Sequence, residues 1–197
     1  QQASGLYPEP ARPLPPLSPF LFAVAGPAGA WLPRRFGRPG AVLLAALLGW
    51  YAWGTLRVHP HALAYFNETV GGPANGWRVL VDSSLDWGQD LSRVEPWMKA
   101  HGVERYKLSY FGSASPAHHG ITGLMLPGYS SPRVPRVTRE VSPGDVLAVS
   151  ATNLQGVYLA EEEDQALMAR IRGLPPVGRI GYSILVFRSD FRWPAAP

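Results

Sequence analysis

The sequence predicts an α/β protein, in which a small extracytoplasmic domain with a mixed sheet is preceded by two transmembrane helices. Two long uncharged stretches lie near the start of the chain, and short apolar runs alternate with helical patterns after residue 57. Glycine and proline number 21 each among 197 residues, below the roughly 25–30% that is typical of disordered chains. We therefore divide the chain into a proline-rich segment (1–16), two transmembrane helices (17–56) and an α/β domain (57–197).

The two uncharged stretches are long enough to cross a membrane. No charged residue occurs between Arg12 and Arg34, or between Arg38 and Arg57, which are gaps of 21 and 18 residues. A membrane span needs about 17–25 such residues. Prolines interrupt the first stretch, which spans tolerate where neighbouring helices satisfy the freed carbonyl groups. Buried helices of a soluble protein are the alternative interpretation of both stretches.

The basic residues predict the orientation of the chain. Three arginines lie within residues 34–38, and such short basic connectors stay on the cytoplasmic side. The second span then leads outward, so we expect a protein of the inner (plasma) membrane with an extracytoplasmic C-terminal domain. Residues 1–56 carry a net charge of +3 and the remaining residues +1. A nucleic-acid-binding protein would concentrate its basic excess on the folded domain, so we exclude that function.

The pattern after the second span alternates between strands and helices. In chain order, the predicted elements are a strand over 77–82, a helix over 91–101, strands over 106–111 and 145–151, a helix over 161–172 and a central strand over 179–188. The first helix follows from the spacing of Leu91, Val94 and Met98 before Gly102. The second begins with acidic and ends with basic residues, which complements the helix dipole. Residues 112–140 are rich in Gly, Pro and Ser and predict a long loop region.

The densest polar cluster of the sequence is VDSSLDWGQD, over residues 81–90. Its three carboxylates, two hydroxyls and one amide are suited to a cation or a sugar, with Trp87 stacking on the ligand. A calcium loop of the EF-hand type is excluded, because Trp87 and Arg93 stand where that loop needs Gly and Glu. The alternative is structural: Asp82 and Asp90 are turn and N-cap residues, with Asp90 capping the helix that follows. The sequence leaves both interpretations open.

Metal and nucleophile chemistry find little support in the sequence. The chain has no cysteine, which excludes disulfides, thiolate metal sites and cysteine nucleophiles. The histidine pairs His59/His61 and His118/His119 lack the i, i+4 spacing of a helical metal pair. We therefore predict no metal site and no cofactor.

Several segments together resemble a known family. They are HPHALAYFNE (59–68), GGPANG (71–76), VDSSLDWGQDL (81–91), LSYFG (108–112), AVSATNLQG (148–156) and IGYSI (180–184). In this order they resemble the C-terminal part of bacterial family-39, protein-mannosyltransferase-like membrane glycosyltransferases, and the similarity runs from about residue 17 to 188. The resemblance implies a GT-C fold and a polyprenyl-phosphate-linked sugar as donor. The candidate ligand-binding residues are Asp82, Asp86, Trp87, Gln89, Asp90, Asn153 and Gln155.

One departure from that family limits what the chain is expected to do. The family's catalytic acidic residue lies in the first extracytoplasmic loop of a much longer protein, and nothing here matches that loop. We therefore expect the last two spans and the external domain of such an enzyme, without the catalytic half and without a catalytic residue that we can name. Expected partners are membrane lipid, a polyprenyl-phosphate sugar and other membrane protein subunits. The alternative is a non-catalytic structural subunit of a membrane complex derived from the family.

Overall fold

The computed structural model describes residues 17–129 and 137–194, which form two compact units divided after His59. The predicted proline-rich segment over residues 1–16 lies outside the described residues. The first unit is helical, and the second contains the sheet.

The first unit is a pair of helices, α1 (Leu17–Phe36) and α2 (Arg38–Leu56). A single residue separates them: Gly37 has φ 60°, a left-handed conformation that glycine adopts without steric cost. The helices pack closely, because a Cβ on Gly40 would collide with the backbone carbonyl of Leu32. The sequence therefore predicted the two helices correctly, but the connector predicted over residues 34–38 is Gly37 alone, because the three arginines belong to the ends of the helices.

Only α2 among the described residues is long and apolar enough to cross a membrane. Its 19 residues extend over roughly 28 Å at about 1.5 Å per residue, close to the thickness of a bilayer core of about 30 Å. Helix α1 contains Pro27 and Pro33 and ends on two arginines, which lowers its apolar character. The prediction of a spanning pair therefore finds structural support in α2 alone.

The second unit is a mixed α/β domain, as predicted. Its sheet has the strand order β2-β1-β3-β5-β4. The strands are β1 (Lys107–Ser109), β2 (Leu124–Met125), β3 (Val146–Ser150), β4 (Gly178–Ile180) and β5 (Ile184–Arg188), and the helices are α3 (Val94–Ala100), α4 (Ala151–Leu154) and α5 (Glu162–Arg172). Strand β1 runs parallel to β2 and β3, whereas β5 is antiparallel to β3 and β4.

Most predicted elements of the domain are present with shifted ends. Strands β1 and β3 and helix α5 lie within their predicted ranges. The helix predicted over 91–101 begins as a 3₁₀ turn, Leu91–Arg93, and continues as α3. The single strand predicted over 179–188 is a hairpin instead, because the chain turns at Gly181, which has φ 57°. The predicted loop region over 112–140 contains β2 and a 3₁₀ turn, Pro116–His119.

The strand predicted over 77–82 is wrong. This segment forms 3₁₀ turns, Gly76–Arg78 and Asp82–Ser84. The N–H groups of Val79 and Leu80 both bond to the carbonyl of Gly76, so the backbone satisfies itself locally without a partner strand. The side chains of these two residues are 54% and 41% exposed, so the apolar run does not belong to the core.

The core of the domain lies where α3 packs on the sheet. Leu108, Ala148 and Val186 from three adjacent strands are fully buried, together with Val94 and Met98 of α3. Because β1 and β3 are parallel, their carboxyl ends lie at the same edge of the sheet. We call it the carboxyl edge; in open α/β sheets, ligands bind at this edge.

Candidate ligand-binding site

The polar block 81–90 is attached to the carboxyl edge by hydrogen bonds. The N–H of Asp82 donates to the hydroxyl of Thr152, two residues after β3, at 3.0 Å. The hydroxyl of Tyr110, one residue after β1, donates to the carbonyl of Gly88 at 3.4 Å. The predicted strand over 77–82 that would precede the block is not formed, and the block lies instead at the carboxyl ends of β1 and β3.

Asp82 has an unusual backbone and a specific side-chain partner. Its φ is 57°, and it is the one non-glycine residue with positive φ in the part of the chain that the structure describes. Left-handed non-glycine residues cost free energy and cluster at functional sites. Its Oδ2 accepts a hydrogen bond from the Tyr158 hydroxyl at 2.6 Å. This bond raises the pKa of Tyr158 to about 12, so the tyrosine remains a neutral donor at physiological pH.

Asp86 is completely buried behind Asp82. Its Oδ1 accepts from the N–H of Gly88 at 3.0 Å, and its Oδ2 accepts from the hydroxyl of Thr152 at 3.4 Å. Burial raises the pKa of the Asp86 carboxyl to about 7, the Asp90 charge adds to this, and the two hydrogen bonds oppose it. Thr152 therefore links the two candidate carboxylates, accepting from the backbone of one and donating to the side chain of the other.

Three aromatic rings lie beside Asp82, and we call them the aromatic platform: Phe111, Tyr129 and Tyr158. Phe111 and Tyr158 stack nearly parallel, with ring centroids 5.8 Å apart, and Tyr129 is tilted at 5.7 and 5.2 Å from them. Phe111 is buried, whereas Tyr129 and Tyr158 are 56% and 43% exposed. The platform thus presents aromatic surface to solvent next to a carboxylate.

Trp87 is the one aromatic residue in the sequence of the block, and it is 65% exposed. Its indole N–H donates to the carbonyl of Ser83 at 2.9 Å, which fixes the ring on the loop that carries Asp82. The ring of Trp87 is thus exposed and held in place, and its stacking on a ligand stays a prediction.

The three predicted amide ligands are engaged within the fold. Asn153 is buried, accepts from the N–H of Tyr129 at 3.1 Å and donates to Ser109 Oγ at 3.0 Å. Gln89 folds back onto its own loop, accepting from Trp87 N–H and donating to the carbonyl of Leu85. The side-chain amides of Asn153 and Gln89 thus bond to other groups of the protein and hold the loops of the site in place.

Gln155 also bridges parts of the protein. It donates to the carbonyl of Trp77 at 3.1 Å and accepts from Arg172 at 3.1 Å. Of the seven predicted candidates, Trp87 and Gln89 are exposed and Asp82 is half-buried, but the amide of Gln89 is bonded to its own loop.

Asp90 does not act as predicted. It precedes the 3₁₀ turn at Leu91, but its side chain makes no capping hydrogen bond. The carboxylate is buried and its Oδ2 accepts from the N–H groups of Tyr182 and Ser183, each at 3.2 Å, and from Ser183 Oγ at 2.9 Å. The N-cap interpretation is wrong because the β4–β5 turn supplies donors that compete with the helix start, and Asp90 anchors that turn.

Sequence reasoning missed several residues of the site. Thr152, Tyr158 and the other two rings of the aromatic platform belong to segments that follow β1, β2 or β3, and no catalytic motif marks them. Two of these segments, 108–112 and 148–156, were quoted for the family resemblance. The usable signal was their position after parallel strands, where open α/β sheets place ligand contacts.

The amino edge of the sheet carries a different cavity. A cleft of about 570 Å³ lies there, lined by charged residues that include Glu95, Lys107 and Asp145. Lys107 Nζ lies 2.7 Å from Asp145 Oδ2, and the Tyr106 hydroxyl donates to Glu95 at 2.8 Å. The named groups of this cleft thus satisfy one another through an ion pair and a hydrogen bond.

Neither metal geometry nor known relatives identify the site. Over residues 17–129 and 137–194, no group of three or more His, Asp or Glu side chains is arranged to hold a metal ion. No protein-family model, curated protein or solved structure matches the chain.

We expect the buried amide of Asn153 to contribute to the stability of the site. Asn153→Ala leaves the N–H of Tyr129 without its partner and should lower the free energy of unfolding by about 1–3 kcal/mol. Gln89→Ala is the control, because Gln89 is exposed and water replaces its bonds, and should cost less than about 1 kcal/mol. Denaturant unfolding of both variants measures this, and equal losses would contradict it.

Proposed function

We propose that this chain is the C-terminal, membrane-anchored part of a polyprenyl-phosphate-sugar-dependent glycosyltransferase, and that its α/β domain binds a sugar at the carboxyl edge. The observation that supports this proposal best is the exposed aromatic platform next to Asp82. It adds to the resemblance of the DWGQD block and its neighbouring segments to that family.

The chemistry of the carboxyl edge suits a sugar. A sugar ring presents C–H groups that pack on aromatic faces, and hydroxyl groups that donate to carboxylates. Tyr129 and Tyr158 offer such faces, and Asp82 and the Tyr158 hydroxyl offer polar contacts beside them. Binding sites commonly combine apolar and aromatic surface with a few placed polar groups.

The anchoring part of the proposal is supported by α2. Its length fits a bilayer, and its large apolar side chains are exposed, among them Leu47, Leu48 and Trp53. Membrane lipid is the partner that covers such a surface at least cost. With the basic connector inside, residues 57–197 lie outside the cytoplasm of an inner-membrane protein. The catalytic acidic residue then belongs to another part of the enzyme.

A second candidate function is a structural subunit of a membrane complex. It is favoured by α1, which exposes Phe20, Phe22 and Trp31 although it is not apolar enough to count as a span. Helices of other subunits would cover these side chains and satisfy the backbone near its prolines. In this case the carboxyl edge would bind no sugar.

Sugar binding by the full chain in lipid nanodiscs tests the proposed function. We expect ligand-observed NMR to detect glucose or mannose at millimolar concentration. Trp87→Ala should weaken binding about tenfold, since loss of a stacked ring removes roughly 1–1.5 kcal/mol. Tyr65→Ala, which removes another exposed aromatic residue of the domain, is the control and should change nothing. Equal binding by both variants, or none by the wild type, would contradict the site.

The predicted topology has its own test. A reporter that is active only in the cytoplasm, fused after Pro197, should remain silent, because the basic connector holds residues 34–38 inside. The same reporter fused after Gly37 is the control and should be active. Activity of the fusion after Pro197 would contradict both the orientation and the family resemblance.

A further inference from the structure

Two carboxylates of the carboxyl edge, Asp82 and Asp86, form no ion pair with a basic side chain of the described residues. Asp90, Asp145 and Asp164 each lie within 4.0 Å of a basic side chain, as do Glu95 and Glu163. Among the described residues, no ion pair is made by Asp82 or Asp86. Within the described part of the chain, the charge of Asp82 is therefore not paired with a basic side chain.

The aromatic platform adds to this negative potential. The faces of aromatic rings attract cations, and the attraction is strongest where several rings and a carboxylate meet. Tyr129 and Tyr158 are half-exposed and 5.2 Å apart, with Asp82 hydrogen-bonded to the hydroxyl of Tyr158. The Oδ1 atom of Asp82 accepts no hydrogen bond from any described residue, since the bond from Tyr158 is to Oδ2.

We propose that the carboxyl edge selects a sugar that carries a protonated amine, an amino sugar, over a neutral sugar. The ammonium group contacts the aromatic platform and donates to Asp82 Oδ1, while the sugar ring packs on the exposed rings. This inference rests on the proposed function, because it names the class of sugar for the same site.

Three sugars that share one ring geometry distinguish the effect of ligand charge on binding from the effect of ligand shape. Binding of glucosamine, glucose and N-acetylglucosamine to the full chain in nanodiscs is measured by ligand-observed NMR at neutral pH. We expect glucosamine to bind at least tenfold more tightly than the other two, because only glucosamine is cationic. The preference should fall as salt is raised, since salt screens exposed charges.

Asp82→Asn is the decisive variant. Asparagine tolerates the left-handed backbone of residue 82 and keeps an acceptor for the Tyr158 hydroxyl, so the fold should persist. Glucosamine should then bind no more tightly than glucose, while glucose binding changes less than twofold. Glu104→Gln removes one charge at the opposite edge and is the control; it should leave the preference unchanged.

The outcomes distinguish the two proposals. If glucose and glucosamine bind with equal affinity, the selection for an amine is refuted and sugar binding stands. If none of the three sugars binds, the proposed function fails. If ethanolamine binds as tightly as glucosamine, the sugar ring contributes nothing and the inference is overturned, because the site would then recognise an ammonium group alone.

Discussion

Asp86→Asn is expected to increase the stability of the domain above neutral pH. Burial raises the pKa of Asp86 from 3.8 to about 7. Keeping its carboxylate ionised in the folded protein therefore lowers the free energy of unfolding. A shift of about three pKa units corresponds to roughly 4 kcal/mol, and we expect a gain of about 2–4 kcal/mol at pH 8. Asparagine keeps the acceptor for the N–H of Gly88.

The stability gained by Asp86→Asn should depend on pH. The folded protein retains the Asp86 proton up to about pH 7, whereas the unfolded chain releases it near pH 4. The contribution of this group to stability is therefore full below pH 4 and is lost as the pH rises to about 7. The advantage of the variant should be largest at pH 8 and less than half as large at pH 5.

Unfolding by denaturant at both pH values measures the effect. Asp82→Asn is the control, because asparagine fits its left-handed backbone and keeps an acceptor for the Tyr158 hydroxyl, so its stability should change by less than about 1 kcal/mol. A loss of stability in Asp86→Asn at pH 8 would show that the carboxylate itself holds the loop.

Gly181→Ala should cause the largest loss of stability of any substitution considered. Gly181 has φ 57°, and a Cβ at this position would collide with the buried carboxylate of Asp90. That carboxylate holds the β4–β5 turn through Tyr182 and Ser183. The left-handed backbone costs about 1–2 kcal/mol for alanine, and displacing a buried charged anchor adds roughly 2–3 kcal/mol.

Gly102→Ala isolates the contact with Asp90. Gly102 has φ 66°, but a Cβ there would meet nothing within 4 Å. It should therefore lose only the backbone contribution, about 1–2 kcal/mol. Equal losses in the two variants, measured by thermal or denaturant unfolding, would show that the turn does not depend on the close approach to Asp90.

The elements that the sequence predicted correctly have strong local signals. Helix α5 has acidic residues at its start and arginines at its end, and β3 is a continuous apolar run. The residues over 179–188 were predicted as one strand, because they favour strands on both sides of Gly181. The turn at this single glycine, and with it the hairpin over Gly178–Arg188, was therefore missed. Trp77–Leu80 has the composition of a strand, yet Trp77 alone is buried, and the sheet offers it no partner.

The residues of the polar block were predictable from the sequence, but their position in the fold was not. The density of carboxylates singled out the block, whereas the strand predicted before it is not formed and its attachment to the ends of β1 and β3 depends on tertiary contacts. No local pattern indicates that Asp90 bonds to the β4–β5 turn, 92 residues away along the chain. The partners Thr152 and Tyr158 lie 70 and 76 residues from Asp82 and are defined only by the fold.

Photo-crosslinking tests most directly whether the carboxyl edge binds the sugar. A glucosamine derivative with a diazirine is irradiated with the full chain in nanodiscs, and labelled peptides are identified by mass spectrometry. We predict labels on Trp87, Tyr129 or Tyr158, with labelling suppressed by excess glucosamine and reduced by Asp82→Asn. Suppressible labelling confined to the opposite cleft, between Glu104 and Asp145, would contradict the assignment of the site.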